Sequence, residues 1–212
     1  KTNGERQVLD VLAANGVTCF DVASPQEIAD VRAAAPKAEM IYMHPVKAQS
    51  HIRDALHRDK IRTLALDHED ELTKIHRIVQ ALDIDPGSVT LYVRLQTKGH
   101  AAYELSKKFG AGPSHAVELL QRVERLGYKA GLCFHVGSQI EDPETYDAAL
   151  KVAKQVRDSS GVKLAGLDIG GGFPAEYGHD PKRAHAEMPS LPQLMTRVSR
   201  DIDAWGFNDL PL

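Results

Sequence analysis

The chain is poor in the features that make a function obvious at sight. It has two cysteines in 212 residues, too few for a disulfide framework. Both Cys19 and Cys133 fall in short apolar runs, where buried thiols of a reducing compartment are expected. No apolar stretch approaches the length that spans a bilayer, and no signal-peptide core is present. A formal charge of −3 supplies no field that would draw nucleic acid or an anionic membrane as partner. There is no Gly-x-Ser-x-Gly elbow to mark a nucleophile. No two His or Cys residues share close ligand spacing on one element, so no metal site is expected. The glycine cluster at 170–172 is followed by Phe173-Pro174 and not by Lys-Ser/Thr, which excludes a nucleotide P-loop. A cytoplasmic enzyme is the class these absences leave.

What is there is regular. With 26% charged and 42% apolar residues, the composition is that of an ordinary globular chain, long enough for one large core. Short apolar runs alternate with amphipathic segments. Strands are predicted at Thr18–Val22, Met40–Met43, Thr63–Leu66, Val89–Leu95, Ala130–Val136 and Leu164–Ile169. Helices are predicted at Glu5–Ala14, Pro25–Ala34, Val46–Arg58, His68–Leu82, Ser114–Leu126, Thr145–Ser159 and Pro189–Trp205. Val117, Leu119, Leu120, Val123 and Leu126 follow the helical period. Ser24 before Pro25 and Glu27 is an N-cap signal, and Asp142-Pro143-Glu144 repeats it. Such alternation implies a parallel sheet with helical crossovers. Six strands fit an α/β fold of the (β/α)₈ TIM-barrel type, incomplete at both ends and filling residues 1–212 as one domain. A doubly wound open sheet is the alternative. The start at Lys1 without Met, and an end at Asp209-Leu210-Pro211-Leu212 that reads like the opening of a strand, suggest an excerpt of a longer polypeptide.

In a barrel, chemistry gathers where the strands end. The polar residues there are Asp21, His44, Asp67, Arg94, His135 with Ser138, and Asp168 followed by Gly170, Gly171 and Gly172. Each has a plain structural explanation. Asp67 reads as the N-cap of the following helix, Asp21 as cap or site, His44 before Pro45 as a loop residue, and His135 as either a core histidine or a site residue. The glycines read as a tight turn or, with backbone N–H groups uncovered, as a phosphate cradle. Together they place an imidazole, a hydroxyl, a guanidinium and carboxylates at one mouth.

Several motifs resemble one family in order and spacing from end to end of the chain. His135-Val136-Gly137-Ser138, followed about thirty residues later by Asp168-Ile169-Gly170-Gly171-Gly172-Phe173-Pro174, resembles the barrel domain of the pyridoxal-phosphate (PLP)-dependent fold-type III decarboxylases. These are the ornithine, lysine and diaminopimelate enzymes, relatives of alanine racemase. Phe20-Asp21-Val22-Ala23-Ser24-Pro25-Gln26-Glu27-Ile28 resembles a further segment of the family. Tyr42–Lys47 does so too, with His44 where the family has Asn, as does Leu105-Ser106-Lys107-Lys108-Phe109-Gly110. The last two lean toward the ornithine/lysine branch.

The resemblance implies pyridoxal 5'-phosphate as cofactor, with Lys1 of Lys1-Thr2-Asn3 as the Schiff-base lysine. It implies His135 stacked on the ring, Ser138 and Gly170, Gly171 and Gly172 around the phosphate, and Arg94 near the ring's phenolic oxygen. Asp21 and Glu27 would position the lysine or its neighbours. The implied activity is decarboxylation of a basic amino acid, ornithine to putrescine or lysine to cadaverine, by a homodimer with shared active sites. The family's ring-nitrogen Glu and its C-terminal β-domain, with an acid Cys and a substrate Asp, would lie past Leu212. Diaminopimelate decarboxylase, an amino-acid racemase on the same barrel, and a non-catalytic decarboxylase-like binding protein are the alternatives.

Overall fold

The structure, a computed structural model, describes residues 3–97, 108–140, 142–174 and 190–211. Six strands, β1 (Cys19–Val22), β2 (Glu39–Tyr42), β3 (Thr63–Leu66), β4 (Thr90–Arg94), β5 (Lys129–Cys133) and β6 (Leu164–Asp168), pair in parallel in the order of the sequence. A doubly wound sheet reverses its strand order at a switch point. This sheet has no reversal, and the fold is a parallel half-barrel. Beyond β6, the Leu167 N–H donates to the Pro211 carbonyl at 3.0 Å, so the last described residue lies where a next strand would pair.

Seven helices, α1 (Arg6–Ala14), α2 (Pro25–Ala34), α3 (Gln49–His57), α4 (Glu69–Ala81), α5 (Pro113–Arg125), α6 (Glu144–Ser160) and α7 (Leu191–Ala204), are described. They cover the convex face, where the main core forms from residues such as Ile75, Leu91, Leu120, Leu132 and Val156. Ser24 caps α2, its hydroxyl accepting from the Glu27 N–H at 3.2 Å, as its sequence predicts. Asp142 accepts the Glu144 N–H at 2.9 Å at the start of α6. The described helices include none long and apolar enough to cross a membrane.

Three expectations change. Asp67 does not cap α4. His68 does, with its Nδ1 accepting from the Asp70 N–H, while the Asp67 carboxylate turns away and accepts the Gly110 N–H at 2.8 Å. Cys19 is exposed, and only Cys133 is buried. β1 alternates, with Phe20 and Val22 buried against the helices and Cys19 and Asp21 on the concave side. The strand expected to run to Val136 stops at Cys133, so His135 is a half-buried loop residue and not a core histidine within the strand.

The concave face is filled on the β4–β6 side by Tyr92. A Cβ on Gly166 would lie 2.2 Å from the Tyr92 hydroxyl, and one on Gly131 would lie 2.8 Å from its ring. Both glycines are therefore the floor on which the ring rests. Burial pushes the Tyr92 phenol up to about 12, and the charges of Asp168, Cys133, Cys19 and Glu39 add to the shift. Gly166→Ala should lower stability by about 1–3 kcal/mol through overpacking. Adding Tyr92→Phe, which removes the clashing oxygen, should restore most of that loss in a urea titration. A double variant no more stable than Gly166→Ala would show that the ring is not the obstacle.

Candidate active site

The site is built where β4, β5 and β6 end. Arg94 is the last residue of β4 and pairs with Cys133. Two residues past Cys133, the chain turns through His135 and Ser138, and the loop after β6 carries Gly170–Gly172.

These two loops are docked backbone to backbone. A Cβ on Gly170 would lie 2.4 Å from the Phe134 carbonyl oxygen, and one on Gly172 would lie 2.1 Å from the Gly137 carbonyl oxygen. Both glycines have positive φ, +70° and +103°. No side chain fits at either place. The contact is pinned by the Ile140 N–H donating to the Gly172 carbonyl (2.8 Å) and the Phe134 N–H donating to the Asp168 carbonyl (3.0 Å). Gly171 differs: a Cβ there meets nothing within 4 Å. It is the crest of the loop and faces open space, held from behind by the Tyr146 hydroxyl on its carbonyl at 3.2 Å. Tyr146 in turn stacks on Phe173, with centroids 5.5 Å apart.

The glycine N–H groups are less open than expected. The Gly170 N–H donates to Asp168 Oδ1 at 2.7 Å, and the Gly171 N–H to His135 Nδ1 at 3.3 Å. The second bond fixes the histidine tautomer: Nδ1 accepts, so in the neutral ring the proton is on Nε2. It also fixes the ring beside the crest of the glycine loop. The Thr97 hydroxyl holds the His135 carbonyl at 2.9 Å. His135, Ser138, Gly170, Gly171 and Gly172 thus form one cluster, with Arg94 on the adjoining strand. Asp21 stands at the end of β1, on the far side of the same concave face. Glu27 is engaged in the corner after β1, where Oε2 accepts the Ala23 N–H at 2.6 Å. Lys1 lies outside the described residues.

The donor set suits an aromatic phosphate. It combines a fixed imidazole face, a half-exposed hydroxyl, a glycine crest opening on free space and a guanidinium. The described residues contain no group of three or more His, Cys, Asp or Glu that could hold a metal ion.

Residues 1–201 match the family model described as "Pyridoxal-dependent decarboxylase, pyridoxal binding domain". The chain belongs to this family. Its cofactor is pyridoxal phosphate, and the half-barrel is the cofactor-binding domain. The chain is 32% identical over 209 residues to a lysine/ornithine decarboxylase of Selenomonas ruminantium, covering 96% of this chain and 49% of that protein. It is 36% identical over 197 residues to ornithine decarboxylase of Mus pahari, covering 90% of this chain and 40% of that protein. The lysine/ornithine decarboxylase of Vibrio vulnificus, solved with putrescine, superimposes with a TM-score of 0.75 at 27% identity over 98% of this chain and 51% of its own. The chain therefore spans about half the length of the relatives it matches.

Two further residues, in the resembling segments Tyr42–Lys47 and Leu105–Gly110, take their roles from the fold. Lys47 is buried after β2. Its Nζ donates to the Ala65 carbonyl (2.6 Å) and the His44 carbonyl (2.9 Å) and pairs with Glu71 at 3.0 Å. Burial pulls its ammonium down to about 8, against the pull of Glu71. Phe109 contacts both His44 and Arg94. Both lie in segments that resemble the family, and the fold shows what they contact.

The docked loops separate two roles within one glycine run. Gly172→Ala should cost at least about 2 kcal/mol of stability, because backbone blocks the new methyl and φ is strained. Gly171→Ala should stay within about 0.5 kcal/mol of the parent. Thermal or urea unfolding checks the pair, and equal losses would contradict the assignment of the crest.

Proposed function

We propose that this chain is the cofactor-binding half of an enzyme that decarboxylates a basic amino acid, ornithine or lysine. The observation that carries the reading is the fixed His135 ring beside the open crest at Gly171, on a barrel whose relatives are named for those two substrates. Bound pyridoxal phosphate supplies an electron sink for the pair left behind when the substrate carboxylate departs.

The chain's own residues bind, orient and carry charge. Lys1 would be the residue to which the cofactor attaches covalently. His135 presents its ring face beside the Gly171 N–H that it accepts, and stacking there would fix the orientation of the cofactor ring. The Ser138 hydroxyl and the glycine loop at Gly170–Gly172, whose crest at Gly171 is open, would hold the phosphate. Arg94, half-buried at the end of β4, would supply a fixed positive charge to the cofactor's phenolic oxygen. Asp21, across the mouth on β1, and Glu27, which holds that corner through its bond to the Ala23 N–H, would position Lys1 or its neighbours. Assembly as a cytoplasmic homodimer with shared sites belongs to the same proposal.

The test is borohydride reduction of the full-length protein loaded with pyridoxal phosphate, followed by peptide mapping. The cofactor should be fixed on Lys1, and the parent should release CO₂ with putrescine or cadaverine. Lys1→Ala should lose both the visible cofactor band and the activity. Trapping on another lysine, or inversion of the amino acid without CO₂, would overturn the reading.

A further inference from the structure

Phe109 is held between two strand ends. The Arg94 guanidinium carbon lies 5.4 Å from its ring centroid. The His44 imidazole meets the same ring edge-on, with centroids 5.3 Å apart and planes at 75°. The backbone beside Phe109 is locked to β4 and β3. The Ala111 N–H donates to the Arg94 carbonyl (2.8 Å), and the Gln96 N–H to the Ala111 carbonyl (2.9 Å). The Gly110 N–H donates to Asp67 at 2.8 Å. Gly110 has φ +106°, and a Cβ there would lie 2.6 Å from the Gln96 nitrogen, so only glycine permits this approach. His44 is equally constrained: its Nδ1 accepts the Val46 N–H at 3.1 Å, and its carbonyl takes the buried Lys47 ammonium. The ends of β2 and β4 thus meet on one aromatic ring, the end of β3 holds the backbone beside it, and the ring carries a cation.

We propose that Phe109, braced by His44, is a positioning residue that fixes the Arg94 guanidinium for the cofactor. The proposal rests on the reading of Arg94 as a cofactor-binding residue. An arginine at a strand end has several rotamers open to it, and a charge stabilises a fixed oxygen only if it stays in place. The ring face selects one of those rotamers by cation–π attraction and shields it from water on that side. His44→Asn separates two features of its own side chain, because an Asn carbonyl can still accept the Val46 N–H while the edge-on ring is lost.

The experiment is titration of the full-length protein with pyridoxal phosphate, read as its dissociation constant and as the absorption maximum of the bound cofactor. Arg94→Ala, Phe109→Leu, Phe109→Tyr, His44→Asn and the Arg94→Ala/Phe109→Leu double variant are compared. Phe109→Leu should weaken cofactor binding about three- to tenfold, the range of a partly desolvated cation–π contact. It should move the absorption maximum in the same direction as Arg94→Ala, and the double variant should bind no more weakly than Arg94→Ala alone. Phe109→Tyr should bind like the parent. His44→Asn should weaken binding by a smaller factor, and it keeps the question answerable if Phe109→Leu unfolds. If Arg94→Ala weakens binding while neither Phe109→Leu nor His44→Asn does, the positioning role is overturned. Additive losses in the double variant overturn it as well. If Arg94→Ala itself leaves binding unchanged, the fault is in the reading of Arg94.

Discussion

The site depends on one backbone-on-backbone contact, the docking of the Gly170–Gly172 loop onto the loop that carries His135. Carbonyl oxygens of Phe134 and Gly137 occupy the space where two side chains would begin. Because the loops touch so closely, the Gly171 N–H reaches the His135 ring and sets its tautomer. The same contact leaves Gly171 as the only glycine of the run with open space above it. Rigid support lies behind that crest in the buried Tyr146 and the Phe173 ring stacked on it. A recognition surface made of loops gains its precision from such packing.

Around this contact the barrel is held by a second kind of constraint, charge buried with its partners. Lys47, Glu71 and Lys74 form a cluster between β2 and α4 in which every polar atom is engaged. Lys74 pairs with Glu71 and donates to the Lys47 carbonyl at 2.5 Å. Clusters of this sort add little net stability but specify one arrangement, because any other leaves an ammonium without acceptors. Here the arrangement specified is the turn after β2, which carries His44 toward Phe109 and Arg94. The interior of the half-barrel is shaped by size, with Tyr92 spread over Gly131 and Gly166.

The elements were legible in the sequence because the strands are short apolar runs and most helices between them carry one apolar face. All six strands and seven helices occur within a few residues of their expected bounds. Strand ends were less legible. Phe134 and Val136 are apolar and buried, yet they belong to a loop. Apolarity reports burial, and burial extends beyond the ladder. Asp67 was misread for a related reason. An Asp after a strand is a good cap in isolation, but here the long-range bond to Gly110 competes, and His68 takes over the cap. Cys19 was misread because a half-covered strand and a fully covered one look alike in four residues. His135, Ser138 and the glycines could be singled out because each follows a predicted strand. The bracing by Phe109 could not, because it joins residues 65 positions apart through ring contacts that leave no local pattern.

The central claim is that the open crest at Gly171 and the adjoining Ser138 turn receive the phosphate. Amide hydrogen exchange of the full-length protein, with pyridoxal 5'-phosphate and with pyridoxal lacking the phosphate, tests this most directly. The account predicts that the phosphate-bearing ligand slows exchange in the peptides covering Val136–Gln139 and Gly170–Phe173, and that pyridoxal leaves those peptides unchanged. Equal protection by both ligands, or protection confined to other strand ends, would contradict it.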